Sequence, residues 1–269
     1  MSRDDEAFMP PELVARVLVQ ATPDVVLIGG QALAYWMDYY RIEDPDAAVR
    51  AVSRDVDFFT RDASNHLPLH GFARAIGGIA KLRDKQAPTA HIGSAVAPAP
   101  EEGRVYNVDL LHDVVGLDRK KVESNAVEVM LPGIAHPLRV MHPLDLLQSR
   151  NANLHGLPDK QDETGQRQLR LAIRVVRAHL EAIIDGLEAA PAPNERTRQR
   201  AVFDAIKPVI DYSGEDAAKK NAKHFGIHLA EAIPVWRIRS EEFWSKQWPH
   251  LRQRMSVEYA DYCEASIQR

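Results

Sequence analysis

The chain changes character near His142-Pro143. Upstream, short runs rich in β-branched residues alternate with turn signals, and 24–28, 55–60, 79–83, 90–96, 104–111 and 122–131 read as strands. Helical stretches near 11–21 and 30–40 lie beside the first of these. The segment from Ala95 to Gly103, with Pro98, Pro100 and two glutamates, reads as a loop. Downstream the strand signal stops. Helical periods take over at 144–155, 162–188, 196–212, 215–231 and 240–268, broken at Pro158, Pro191/Pro193, Gly214 and Pro234. There is no internal repeat, and Ala189-Ala190-Pro191-Ala192-Pro193 reads as a short stiff linker. The pattern predicts an α/β half over 1–142, a mixed sheet flanked by helices, followed by an all-helical half over 143–269.

Chemistry concentrates in the first half. Val25-Val26-Leu27-Ile28 reads as a strand, Gly29-Gly30 closes it, and Gln31-Ala32-Leu33-Ala34-Tyr35-Trp36 opens a helix. A helix started by glycines offers backbone N–H groups to phosphate oxygens. The run Asp55-Val56-Asp57-Phe58-Phe59 comes next, and strand alternation turns both aspartates one way and Val56 and Phe58 the other. Neighbouring carboxylates repel unless a cation lies between them. A third aspartate, Asp109, stands alone among the apolar residues of Val105-Tyr106-Asn107-Val108-Asp109-Leu110-Leu111. An unpartnered carboxylate there is costly, so it needs a cation, a hydrogen-bond network or a route to water. Each element has a plain alternative: a tight turn for the glycines, a solvated strand edge for Asp55 and Asp57, a strand-end contact with water for Asp109. Their combination in this order points to a magnesium and triphosphate site.

Three stretches carry a family likeness: Ile28-Gly29-Gly30-Gln31-Ala32-Leu33, Ser53-Arg54-Asp55-Val56-Asp57-Phe58 and Val108-Asp109-Leu110-Leu111. They resemble the DNA-polymerase-beta-like nucleotidyltransferase superfamily, and most of all its AbiEii-type branch of abortive-infection and type IV toxin–antitoxin toxins. Pro143-Leu144-Asp145-Leu146-Leu147-Gln148-Ser149-Arg150 is also similar to the segment after the core in that branch, and the likeness covers roughly 24–165. It implies a nucleotidyltransferase core using Mg²⁺ or Mn²⁺ to move a nucleoside monophosphate from an NTP to a hydroxyl acceptor, RNA such as tRNA, or protein. It also implies an antitoxin protein as partner. Asp55 and Asp57 would hold the metals, and Asp109 would hold the metal that activates the acceptor hydroxyl and take its proton. Gly29, Gly30 and Gln31 would meet the phosphates, with Arg150 and Lys160 steadying them; the last two equally suit surface positions. Many members have Gly-Ser where this chain has Gly29-Gly30, so contacts made elsewhere by the serine fall here to backbone N–H groups or Gln31. Two other classes stay open: an inactive relative that binds nucleotide or RNA, and a metal-dependent phosphohydrolase, which would typically add histidine ligands.

The remaining features narrow the field. A net charge of −4 excludes a surface coated in positive charge, so any nucleic-acid contact is local. The single cysteine, Cys263, excludes an internal disulfide and suits a reducing cytosol. The charged start, Met1 to Glu6, lacks a signal peptide's apolar core, and no run approaches the ~20 apolar residues of a membrane span. The expectation is a cytoplasmic protein without a membrane partner. Over 162–188, Leu169, Ala172, Ile173, Val176, Leu180, Ile183, Ile184 and Leu187 form one apolar face, beside a stripe of Arg167, Arg170, Arg174 and Arg177. That stripe suits internal ion pairs or a solvated face before it suits an anionic ligand. His66 and His70 are four apart, but Pro68 is expected to break the helix that would align them for zinc. His112-Asp113 reads as a turn, and Trp244, Trp248 and Leu251 as the core-facing stripe of a terminal helix.

Overall fold

The computed structural model describes residues 5–44, 54–83, 90–101, 103–134, 136–191 and 194–267. Ser53 of the aspartate motif, Glu102 of the expected loop and Ala192-Pro193 of the expected linker lie outside them. The chain forms two compact units: Met1–Asp38 with Glu43–Ser149, and Tyr39–Ile42 with Arg150–Arg269.

The first unit is a mixed α/β structure. In chain order it holds α1 (Pro11–Val19), β1 (Val26–Ile28), α2 (Gly29–Tyr39), β2 (Val56–Phe59), α3 (Leu67–Ile76), β3 (Ile79–Leu82), β4 (His91–Pro98), β5 (Val105–Leu111), α4 (Arg119–Asn125), β6 (Val127–Val129) and β7 (Leu138–Val140), then the start of α5 (Pro143–Gly156). The seven strands lie in the order β3-β4-β5-β2-β1-β7-β6. β2 runs parallel to β5 and antiparallel to β1, while β1 runs parallel to β7. Burying Val56, Phe58, Val108 and Leu110 completely on the apolar face fixes the register of β2 against β5. A one-residue slip would carry those side chains into water.

Several elements differ from the sequence expectation. α3 forms because Pro68 stands in its first turn, where no N–H is required, and its Phe72 stacks on Phe58 with ring centroids 4.5 Å apart. Pro68 therefore begins that helix and does not break it. β4 runs on through Pro98, paired with Val105, so the expected loop from Ala95 begins late. The run 122–131, expected as one strand, opens as the last turn of a helix. Asp118 caps α4 by accepting from the N–H groups of Lys120 and Lys121 at 2.9 and 3.1 Å, and only Val127–Val129 is extended.

The second unit is helical: the end of α5, then α6 (Glu163–Ala189), α7 (Glu195–Ser213), α8 (Asp216–Phe225), α9 (Trp248–Arg252) and α10 (Val257–Ile267), with short turns at Leu229–Ala232, Val235–Arg237 and Phe243–Gln247. Asp162 caps α6, and the helix buries Leu169, Ala172, Ile173, Val176, Leu180 and Ile184 as its apolar spacing predicts. Leu171 and Val175 are buried as well, because α6 is central and is covered on more than one side by α7 and the Leu229–Ala232 turn. The terminal helix expected over 240–268 is divided at 253–256, although Trp248 and Leu251 are core residues as expected. Among the described residues, no helix is long and apolar enough to cross a membrane.

Candidate metal centre

Three strands and one helix start assemble the site. The pairing Ile28↔Asp57 puts the end of β1 beside the first carboxylate of β2, and Asp57↔Asp109 puts the third aspartate directly across the β2–β5 ladder. Asp55 lies one step before β2 begins. Each of the three half-buried aspartates offers an oxygen, and these oxygens lie within 4.8 Å of one another. At such spacing each pair of anions repels by on the order of 1–4 kcal/mol, depending on the local dielectric. A divalent cation removes that penalty, and hard carboxylate oxygens suit Mg²⁺ or Mn²⁺.

Gly29 makes the close approach possible. Its φ is +70°, and a Cβ built there would stand 2.1 Å from Asp57 Oδ2. Only glycine satisfies both conditions. The residue thus serves the carboxylate directly, whereas the sequence suggested clearance for phosphates. Gly30 is buried in the first turn of α2, and Gln31 donates from Nε2 to the carbonyl of Asp55 at 3.4 Å. Glycine conformation, helix start and aspartate loop are therefore one local unit.

Asp109 is held by partners that sequence reasoning missed. Ser94 Oγ–H donates to Asp109 Oδ1 at 2.6 Å, and His91 Nε2 lies 3.0 Å from both that oxygen and Ser94 Oγ. Burial pushes the Asp109 carboxyl up, but the hydrogen bonds of His91 and Ser94, the His91 charge and a hydrogen bond from Asn107 outweigh it. The net result lies below the ordinary carboxylate value. The group is thereby kept in the form that binds a cation. Gly93, inside a strand-like run, is the one local sign of these neighbours, since an isolated glycine in a strand marks a bulge.

The other candidates have internal partners. Arg150 is buried in the second unit and donates from Nη1 to Gln168 Oε1 at 3.0 Å, and Lys160 pairs with Asp159 at 3.8 Å. In the arginine stripe, Arg170 donates to the carbonyl of Phe225 and Arg177 to that of Glu231, with Arg177 also 4.7 Å over the Tyr259 ring. These two arginines tie α6 to the end of α8 and to the Leu229–Ala232 turn after it, a use neither ion pairing nor solvation had suggested. His112 holds the carbonyl of Ala90 through its ring at 2.7 Å and through its N–H at 2.8 Å, as a turn residue would. His66 and His70 share α3's start but belong to no group that could hold a metal among the described residues. No family model matches the chain, and no curated protein matches it.

Proposed function

We propose that this protein is a metal-dependent nucleotidyltransferase, moving a nucleoside monophosphate from an NTP to a hydroxyl acceptor on RNA or protein. One observation carries the reading: Asp55, Asp57 and Asp109 converge within 4.8 Å beside the glycine-led start of α2. The resemblance to the AbiEii-type branch supplies the reaction class. Three anionic oxygens, one of them kept ionised by its neighbours, fit Mg²⁺ or Mn²⁺. When bound, the metal would neutralise charge that builds on the attacking and leaving oxygens of the phosphoryl centre.

The chain's own groups divide the remaining work. Asp55 and Asp57 supply two ligand oxygens from one short segment, and Asp109 supplies the third from the neighbouring strand. Burial of Asp109 is outweighed by its hydrogen bonds and the His91 charge, and a carboxyl held below its ordinary value favours the ionised form that a metal ligand needs. The backbone N–H groups at the start of α2 receive phosphate oxygens, as helix N-termini do.

The test offers the four labelled NTPs with Mg²⁺ or Mn²⁺ to total cellular RNA and protein. Label should appear on one acceptor class and vanish with Asp57→Ala. No transfer of any nucleotide, or undiminished transfer by an Asp55→Ala/Asp57→Ala double variant, overturns the reading. The toxin role implied by the resemblance is tested separately: expression should arrest growth, Asp57→Ala should relieve the arrest, and harmless expression counts against it.

A further inference from the structure

We infer that His91 and Ser94 are positioning residues for the metal centre: they grip Asp109 through Oδ1 and so fix the rotation of the carboxylate that meets Asp55 and Asp57. The inference rests on the metal-dependent reading above.

The argument begins with strand register. Ser94 lies opposite Asp109 in the β4–β5 ladder, so both side chains leave the same face of the sheet. Regular alternation would turn His91, three residues earlier, to the opposite face. It does not turn away, because the ladder shifts between His91 and Gly93: Leu110 pairs with Gly93 and the next residue, Leu111, pairs with His91. Ile92 is the extra residue of a β-bulge. One inserted residue reverses the alternation and brings the imidazole onto the face of Ser94 and Asp109. Bulges commonly re-aim a side chain in this way beside functional sites.

The bulge is built for this position. A Cβ on Gly93 would stand 2.6 Å from the Lys81 carbonyl and 2.7 Å from Leu69 Cδ1, so only glycine lets β4 lie against β3 and α3 there. The aim is also specific. His91 and Ser94 converge on a single carboxylate oxygen, Oδ1, at 3.0 and 2.6 Å, and the lone pairs of Oδ2 take no part in those bonds. A serine hydroxyl and a ring N–H on one oxygen fix the carboxylate's rotation. Outer partners of this kind orient a metal ligand, and losing one typically weakens metal binding about 10–100-fold.

The full-length, metal-free chain is titrated with Mn²⁺ and followed by electron paramagnetic resonance. Wild type should bind saturably. Ser94→Ala and His91→Leu should each weaken Mn²⁺ binding by about 10-fold or more. His91→Gln, which keeps an N–H donor, should recover part of the loss, a rescue that a filler role would not give. Thermal melts of the metal-free proteins identify any variant that fails to fold, and Ser94→Ala, which removes a single oxygen, keeps the test open if both histidine variants fail. Variants that fold and bind Mn²⁺ as tightly as wild type overturn the positioning role alone. A wild type that binds no Mn²⁺ overturns the metal-dependent reading itself.

Discussion

At the scale of single residues, Gly29 links backbone conformation to the site's charge. Two glycines separate its two burdens. Gly77 closes α3 with φ +69° and has nothing within 4 Å of a Cβ position, whereas Gly29 has φ +70° and Asp57 Oδ2 at 2.1 Å. Gly77→Ala should therefore cost only the left-handed penalty, about 1–2 kcal/mol. Gly29→Ala adds a clash worth about 1–3 kcal/mol, of the size that overpacking causes. Urea unfolding of both variants measures the difference. Equal losses would mean that Asp57 turns aside freely and that the site is not rigid. The sequence already disclosed the glycine and all three aspartates, because period-two alternation and chain order are local information. It did not disclose His91 and Ser94, because their role depends on which strand β5 pairs with and on one inserted residue, facts of tertiary register.

At the scale of elements, the junction at His142-Pro143 that divides the sequence is also a helix cap. Pro143 opens α5, and His142 Nδ1 accepts the Leu144 N–H at 3.2 Å, as an N-cap side chain does. An accepting nitrogen must be unprotonated. Burial lowers the His142 value below the ordinary 6.5, in the same direction. For a depressed folded-state value, the unfolded chain takes up the proton first. The contribution to stability is then complete above pH 6.5 and is lost as pH falls through and below that value. His142→Asn keeps an acceptor that does not titrate, so its stability should fall less than wild type's between about pH 7 and 5. Parallel loss in the two proteins would remove His142 from the account. The elements on either side of this junction were legible to different degrees. α6 and α7 were plain, because twenty or so residues of apolar period leave little choice, whereas the run expected over 240–268 is divided. β7 was not, since Leu138–Val140 is three residues long and becomes a strand through its parallel pairing with β1 at Leu27↔Val140. α4 was misread because Val122, Val127 and Val129 suggested a strand, while the Asp118 cap selected helix for the first part.

At the scale of the whole molecule, a metal site of the proposed kind would trade stability for binding. The chain carries a net charge of −4 and still gathers three carboxylates within 4.8 Å. Three like charges this close should repel one another in the metal-free chain, and functional sites commonly carry such a cost. Neutralising one group should reverse the balance. Asp57→Asn should raise the metal-free melting temperature, by about 1 kcal/mol in stability if the pair repulsion is that of a partly solvated site. Wild type should gain about 2.7 kcal/mol from a metal at a hundred times its dissociation constant, and Asp57→Asn should gain little. The two proteins then exchange rank between chelator and millimolar Mg²⁺ in calorimetry. Sodium chloride at matched ionic strength is the necessary control, since monovalent salt also screens carboxylate repulsion at these distances. Screening rises gradually with salt, whereas binding saturates. A wild-type gain that saturates with Mg²⁺ and is absent at equal ionic strength in sodium chloride therefore identifies a bound ion. Identical responses to the two salts would reduce the three aspartates to a charged patch.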